Sequence, residues 1–116
     1  MTPLQIRSNI RDYSVHFEQD FAFLQRFSRI PNKVVIVDGI VHDLYPALLD
    51  DNFAAEEILR LEAVEQNKDL SQVSEIYELL IGRQAKKNLT IISIGGGITQ
   101  DVTGFVASTL YRGVPW

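Results

Sequence analysis

Three consecutive glycines, Gly95, Gly96 and Gly97, stand between the apolar run at residues 90–94 and an amphipathic stretch that begins at Ile98. A backbone without side chains can turn sharply there and let a diphosphate approach its N–H groups. The helix that follows would face such an anion with free N–H groups and its positive dipole end. The dipole contributes about 0.3–1 kcal/mol, or about 2 when partly buried, so it cannot hold a cofactor alone. The same triplet also serves a strand that simply meets a helix closely, and on pattern alone both readings stand. The spaced GxGxxG fingerprint is not met, because Ile98, Thr99 and Gln100 follow the glycines. Asp101 falls one turn past Gly97. An acid there either interacts with the helix dipole or, beside a diphosphate, turns toward hydroxyl or amide donors of a ribose or carboxamide. Gly104 lies inside the predicted helix, where glycine costs about 1 kcal/mol relative to alanine; close packing on a sheet or cofactor would offset that.

The elements that must position these residues follow from periodicity. "LQIR" and "YSVHFE" read as a β-hairpin, with Tyr13, Val15 and Phe17 on one face. "FAFLQRF" has helical spacing and closes at Pro31 and Asn32. "KVVIV", residues 33–37, is a β-branched run that suits a strand buried on both faces. "VHDLYPALLD" reads as a helix interrupted or restarted near Pro46, and "EILRLEA" as a strand or a helical extension. Residues 69–87 form the clearest helix, capped by Asp69 or Ser71, with Val73, Ile76, Leu79 and Leu80 on its apolar face. Arg83, Lys86 and Lys87 suit its negative end. A strand at 90–94 and a helix over 98–111 complete the chain, with Ile98, Val102, Phe105, Val106 and Thr109 on one side of that helix. Strands alternating with helices after a hairpin predict an α/β fold: a Rossmann-like, mostly parallel sheet with flanking helices and an N-terminal β-hairpin. Its strand C-termini would share one edge, where ligands of open α/β sheets bind.

The bulk properties agree with a single α/β domain over residues 1–116. Hydrophobic residues make up 46% and charged residues 22%, which argues against disorder. A net charge of −4, with Lys and Arg scattered, disfavours nucleic-acid binding. The absence of cysteine excludes disulfides, thiolate metal sites and a cysteine nucleophile. No apolar segment has the length of a membrane span and the N-terminus lacks an apolar signal core, so a cytoplasmic protein with no membrane partner is expected.

Taken whole, "GGGITQDVTGFVASTLYRGVPW" resembles the dehydroquinate synthase family and its sugar-phosphate cyclase relatives. Gly95, Gly96, Gly97, Asp101, Gly104, Phe105, Ala107, Arg112, Gly113 and Val114 fall in register with that family's pattern. "VEQNK" places Glu65 and Lys68 on its G-E-x-x-K segment, Asp38 follows the strand "KVVIV" where the family has an acid, and "DYSVHFE" looks familial. The resemblance implies an N-terminal NAD-binding domain. In it Asp38, Glu65 and Lys68 would engage ribose hydroxyls, Gly95, Gly96, Gly97 and Ile98 the diphosphate, Asp101 the cofactor, and Arg112 a substrate phosphate. Read from the residues alone, Glu65 and Lys68 are a solvent-facing pair and Arg112 a surface charge at a helix C-terminus. Val64 and Gln100 depart from the family, which has glycine at both places.

The resemblance further implies a helical C-terminal domain with one Glu and two His as ligands of a divalent metal, zinc or cobalt, in the full-length parent. His16 and His42 match neither ligand, so no metal site is expected within these residues, nor any catalytic residue. The expected parent is a phosphate-eliminating carbon–oxygen lyase acting on a sugar phosphate, and the 116-residue chain is expected to be a truncated, inactive piece of it. Truncation should expose a sheet edge and apolar surface around Val114 and Trp116, favouring self-association or a homodimer. Two alternatives remain: a domain of an iron-type, NAD-dependent polyol dehydrogenase, and a non-catalytic nucleotide-binding or oligomerisation module.

Overall fold

The computed structural model describes residues 2–8, 12–64, 66, 69–83 and 88–116, the side chain of Arg112 excepted. Three parallel strands form its centre: β3 (Lys33–Asp38), β4 (Ile58–Leu61) and β5 (Thr90–Ile94), in the order β4-β3-β5. Two shorter strands, β1 (Leu4–Ile6) and β2 (Tyr13–Val15), pair antiparallel as a separate hairpin. The Rossmann-like α/β expectation therefore holds. The face of Tyr13, Val15 and Phe17 stays exposed rather than joining the core.

β3 is central because its side chains suit burial on both sides, and Val35, Ile36 and Val37 are fully buried. Val35, Val37 and Ile92 point to one face, packing with Leu24 of α1 (Phe23–Ser28) and Leu49 of α3 (Pro46–Asp50). Val34, Ile36 and Ile91 point to the other, against α4 (Leu70–Gly82) and α5 (Gly97–Thr109). The helical run after β3 breaks at Tyr45, which leaves helical geometry between α2 (Gly39–Leu44) and α3, with Pro46 opening the second helix. Residues 58–61 are strand β4 and not a helical extension; a single 3₁₀ turn, Ala55–Glu57, precedes them.

Three sequence expectations are corrected. On α4, Val73, Ile76 and Leu80 are buried but Leu79 is 48% exposed. At 100° per residue Leu79 lies about 90° from the mean direction of the other three. On α5 the buried stripe is Thr99, Val102, Thr103, Val106 and Ala107, while Phe105 and Thr109 are exposed. The small column Thr99, Thr103 and Ala107 at i, i+4, i+8 lets this helix lie close on the sheet, rotating its inner face by about 85° from the apolar count. Val114 is buried, not exposed: after a turn at Tyr111 and Gly113, both with positive φ, its N–H donates to Ala107 O at 2.7 Å. Pro115 O then accepts from Ile91 N at 2.9 Å on the outer side of β5, while Trp116 stays 58% exposed.

Arg83 does not act on its own helix end alone. Its Nη1 donates to Glu56 O at 2.8 Å and Ile58 O at 3.4 Å, tying the end of α4 to the start of β4. Lys86 and Lys87 lie outside the described residues. The Tyr77 hydroxyl and Thr109 Oγ1 hydrogen-bond between α4 and α5, and burial pushes the Tyr77 phenol up. Among the described residues no helix is long and apolar enough to cross a membrane.

Candidate functional site at the strand C-termini

β3 connects to β4 over one face of the sheet, and β4 returns past β3 to β5 over the other. The two departures leave a crevice between the C-terminal ends of β3 and β5, the place where open α/β sheets bind ligands. Asp38 ends β3 on one side of it. Val37 is in register with Ile94, so the glycine turn begins directly across from Asp38.

Each glycine of the turn has a different reason to be glycine. A Cβ on Gly95 would lie 2.6 Å from Thr99 Oγ1 and 3.1 Å from Asp38 Cβ, and Gly95 has φ +156°. Packing and conformation require glycine there. Among the described residues there is nothing within 4 Å of the position a Cβ would take on Gly96 or Gly97. That open space faces the start of α5, whose N-cap, Gly96, has no side chain to satisfy the first N–H groups. The backbone of Gly97, Ile98 and Thr99 thus presents donors without a side-chain cap, as an anion site requires. The Ile98 side chain turns away and packs on the α4–α5 core.

Asp38 also has a structural task. Its Oδ1 accepts from Ile40 N at 2.9 Å, capping α2, and its other oxygen has no partner among the described residues. Asp101 stands on the second turn of α5 beside a depression of about 270 Å³ bordered by Asp69, Leu70 and Phe105. That depression lies between the start of α4 and α5, and Asp38 does not border it. Asp69, not Ser71, caps α4 by accepting from Gln72 N at 2.9 Å. Glu65 and Lys68 fall in the connection between β4 and α4, outside the described residues; so does the side chain of Arg112. β4 ends at Leu61, opposite Asp38, so that connection leaves from the same sheet edge.

Two other residues drew little notice in the sequence. Gln100 braces the glycine turn, its Nε2 donating to Gly95 O at 3.3 Å. Only its departure from the family pattern marked it. Arg60 packs its guanidinium on Gly39, 3.0 Å from where a Cβ would be, and donates to Asp43 at 2.8 Å. That hydrogen bond, against the opposing effect of desolvation and with help from the Arg60 charge, holds the Asp43 carboxyl below its usual range. His42 sits between Asp50 at 2.9 Å and Arg60 at 3.2 Å, and His16 bonds Ser14. Among the described residues no group of three or more His, Asp or Glu could hold a metal ion.

Below Gly95, toward α1, a cavity of about 370 Å³ is lined by Phe21, Phe23, Tyr45, Ser93 and Gln100. The Ser93 hydroxyl is buried there without a hydrogen-bond partner. A larger cavity, about 720 Å³, lies among His16, Asp20 and Arg26, away from the glycine turn. The crevice and not this larger cavity joins an uncapped helix N-terminus to a carboxylate.

Known proteins share this architecture. The chain is 37% identical over 119 residues to 3-dehydroquinate synthase of Streptococcus equi subsp. equi, covering 97% of this chain and 33% of that protein. The solved 2-deoxy-scyllo-inosose synthase superposes with a TM-score of 0.77 at 28% identity, covering 97% of this chain and 34% of that one. A second structure of that enzyme, complexed with carbaglucose-6-phosphate, NAD+ and Co2+, gives 0.73 at 28% identity, covering 97% and 33%. The chain thus spans about a third of the length of the relatives it matches. Residues 58–116, just over half of the chain and including the glycine turn and α5, match the model of the family described as 3-dehydroquinate synthase N-terminal, and the chain belongs to that family.

Proposed function

We propose that residues 1–116 are the dinucleotide-binding domain of a dehydroquinate synthase-type cyclase, with NAD held across the crevice between Asp38 and the glycine turn. The observation that carries this reading is the open space at the Cβ positions of Gly96 and Gly97, at an α5 N-terminus without a side-chain cap, next to Gly95, which packs against Asp38. The N–H groups of Gly97, Ile98 and Thr99 would take diphosphate oxygens. The open oxygen of Asp38 would accept from a ribose hydroxyl, a charged hydrogen bond worth about 1.5–3 kcal/mol. Glu65 and Lys68 join Asp38 at the ribose in this reading, Asp101 lies toward the carboxamide or its ribose, and Arg112 takes a substrate phosphate. When bound, NAD would supply a hydride acceptor for the carbon bearing a substrate hydroxyl and a hydride donor to the carbonyl carbon so formed.

The chain's own part is to bind and orient. The described residues gather no metal ligands, so no metal-assisted step is drawn through them. The whole reaction, a phosphate-eliminating ring closure of a cytoplasmic sugar phosphate with zinc or cobalt, needs groups outside these 116 residues. The share of its relatives that the chain covers supports this. The 116-residue chain alone is inactive and self-associates through its exposed apolar residues, which include Tyr13, Phe21 and Trp116. Sedimentation over a range of concentrations tests the association; dehydroquinate formed by the purified chain overturns the inactivity.

Calorimetric titration with NAD tests the central reading. Asp38→Asn keeps the α2 cap, since asparagine caps as well as aspartate, but loses the charge. The wild-type chain should bind, and this variant about tenfold to a hundredfold more weakly. A wild-type chain that binds no NAD, or a variant that binds equally well, rejects the reading and leaves a non-catalytic module.

A further inference from the structure

Gln100 holds two successive carbonyls of the glycine turn. Its backbone N–H donates to Gly96 O at 3.0 Å, and its side-chain Nε2 to Gly95 O at 3.3 Å. Only the amide nitrogen can donate to a carbonyl, so the orientation of the side chain is fixed by chemistry. No peptide bond among the described residues is cis. In a trans peptide the C=O and N–H point in opposite directions. With both carbonyls drawn toward α5, trans geometry turns the N–H groups of Gly96 and Gly97 away from that helix, at two residues whose Cβ positions are open among the described residues.

That arrangement is not secured by the glycines themselves. The peptide between Gly95 and Gly96 is flanked by two residues without Cβ atoms, so rotating it by about half a turn meets little steric resistance. Rotated, it would present a carbonyl oxygen to the crevice, and the dipole that favours an anion would repel one. Thr99 and Asp38 hold Gly95 by shape but donate nothing to its carbonyl. Among the described residues the Gln100 side chain alone does.

We propose that Gln100 is a positioning residue that locks the peptide between Gly95 and Gly96 with its carbonyl turned inward, so that the glycine turn offers N–H groups to a bound diphosphate. The inference rests on the reading that this turn faces the diphosphate of NAD. Gln100 touches no ligand in it. The residue acts through the backbone, and the site is preorganised before anything binds.

Gln100→Met separates the hydrogen bond from the space the side chain fills, because methionine has similar bulk and no N–H donor. In the ligand-free, ¹⁵N-labelled 116-residue chain, the Gly96 amide should give one sharp signal in the wild type. In the variant it should be exchange-broadened or displaced, with the melting transition nearly unchanged. Titration with NAD and with inorganic pyrophosphate should show roughly threefold to tenfold weaker binding, the loss expected for one neutral hydrogen bond. A Gly96 signal identical in both proteins overturns the lock, as does equal NAD affinity when the wild type binds. If the Gly96 signal responds while the wild type binds no NAD, the lock stands and the dinucleotide reading alone fails.

Discussion

Thr99 stands over Gly95 so closely that any side chain on Gly95 would overlap it, with Oγ1 2.6 Å and Cβ 2.8 Å from the position of a first methyl. Both atoms belong to a fully buried residue that cannot move aside. Gly95→Ala should therefore destabilise the chain by about 2–3 kcal/mol through overpacking and an unfavourable φ. Gly96→Ala adds its methyl to open space at φ −89° and should leave denaturant unfolding within about 0.5 kcal/mol of wild type. It should still weaken NAD binding, because the methyl occupies the approach to the backbone. Urea titration and calorimetry on the two variants separate the effects; equal stability of both would contradict the packing difference.

Asp38 caps α2, and under the proposed function it also meets a ribose; substitution can divide the two tasks. Asp38→Ala should cost about 1 kcal/mol of stability, through the lost bond to Ile40 N, whereas Asp38→Asn should cost only a few tenths. Chemical denaturation without ligand reads this directly. A stable alanine variant would show that the cap contributes nothing.

The buried Lys33 ammonium is held by Glu57 at 2.9 Å and by Ile30 O at 3.1 Å. Burial raises the Glu57 pKa, but the hydrogen bonds from Lys33 and Ala54 N and the charge of Lys33 together bring it below its ordinary 4.5. A carboxyl with a depressed folded pKa is bound more tightly by protons when unfolded. Its stabilisation is thus present above about pH 4.5 and is lost as pH falls through the lower folded value. Glu57→Gln should remove this acid dependence and cost about 2 kcal/mol at pH 7, because Lys33 stays buried without its counter-charge. Lys33→Met, which leaves the more exposed partner behind, should cost less. Urea midpoints from pH 3 to 7 decide; parallel curves for wild type and Glu57→Gln would refute the assignment.

The Trp116 ring lies on Gly104, where a Cβ would come 3.2 Å from the indole. Alanine gains about 1 kcal/mol of helix propensity but must displace the ring by a few tenths of an ångström. More than half of Trp116 is exposed, so the ring can yield, and Gly104→Ala should stabilise by about 0.5 kcal/mol. Since Trp116 is the chain's one tryptophan, its emission should shift at the same time. A destabilised variant would mean the ring is held.

What the sequence disclosed was what local chemistry determines alone. The β-branched run of β3, the break at Pro46, the Asp69 cap and the glycine turn all follow from short-range preferences. The inner face of α5 did not, because it uses threonines at 99 and 103 that an apolar count reads as polar. Whether residues 58–61 were strand or helix depended on pairing with Val35 and its neighbours, which the sequence does not contain locally. Of the residues marked by the family resemblance, the structure packs Asp38 against Gly95 at the start of the glycine turn. The brace from Gln100 was not legible, since it joins a side chain to a carbonyl five residues away.

β3 carries Lys33 at one end and Asp38 at the other, about 17 Å apart along the strand. The ion pair that responds to acid and the carboxylate that meets the crevice are thereby insulated from each other by a rod of fully buried valine and isoleucine. Mutational drift or engineering can retune the durability of this domain at the Lys33 end while leaving the Asp38 carboxylate and its cap of α2 untouched.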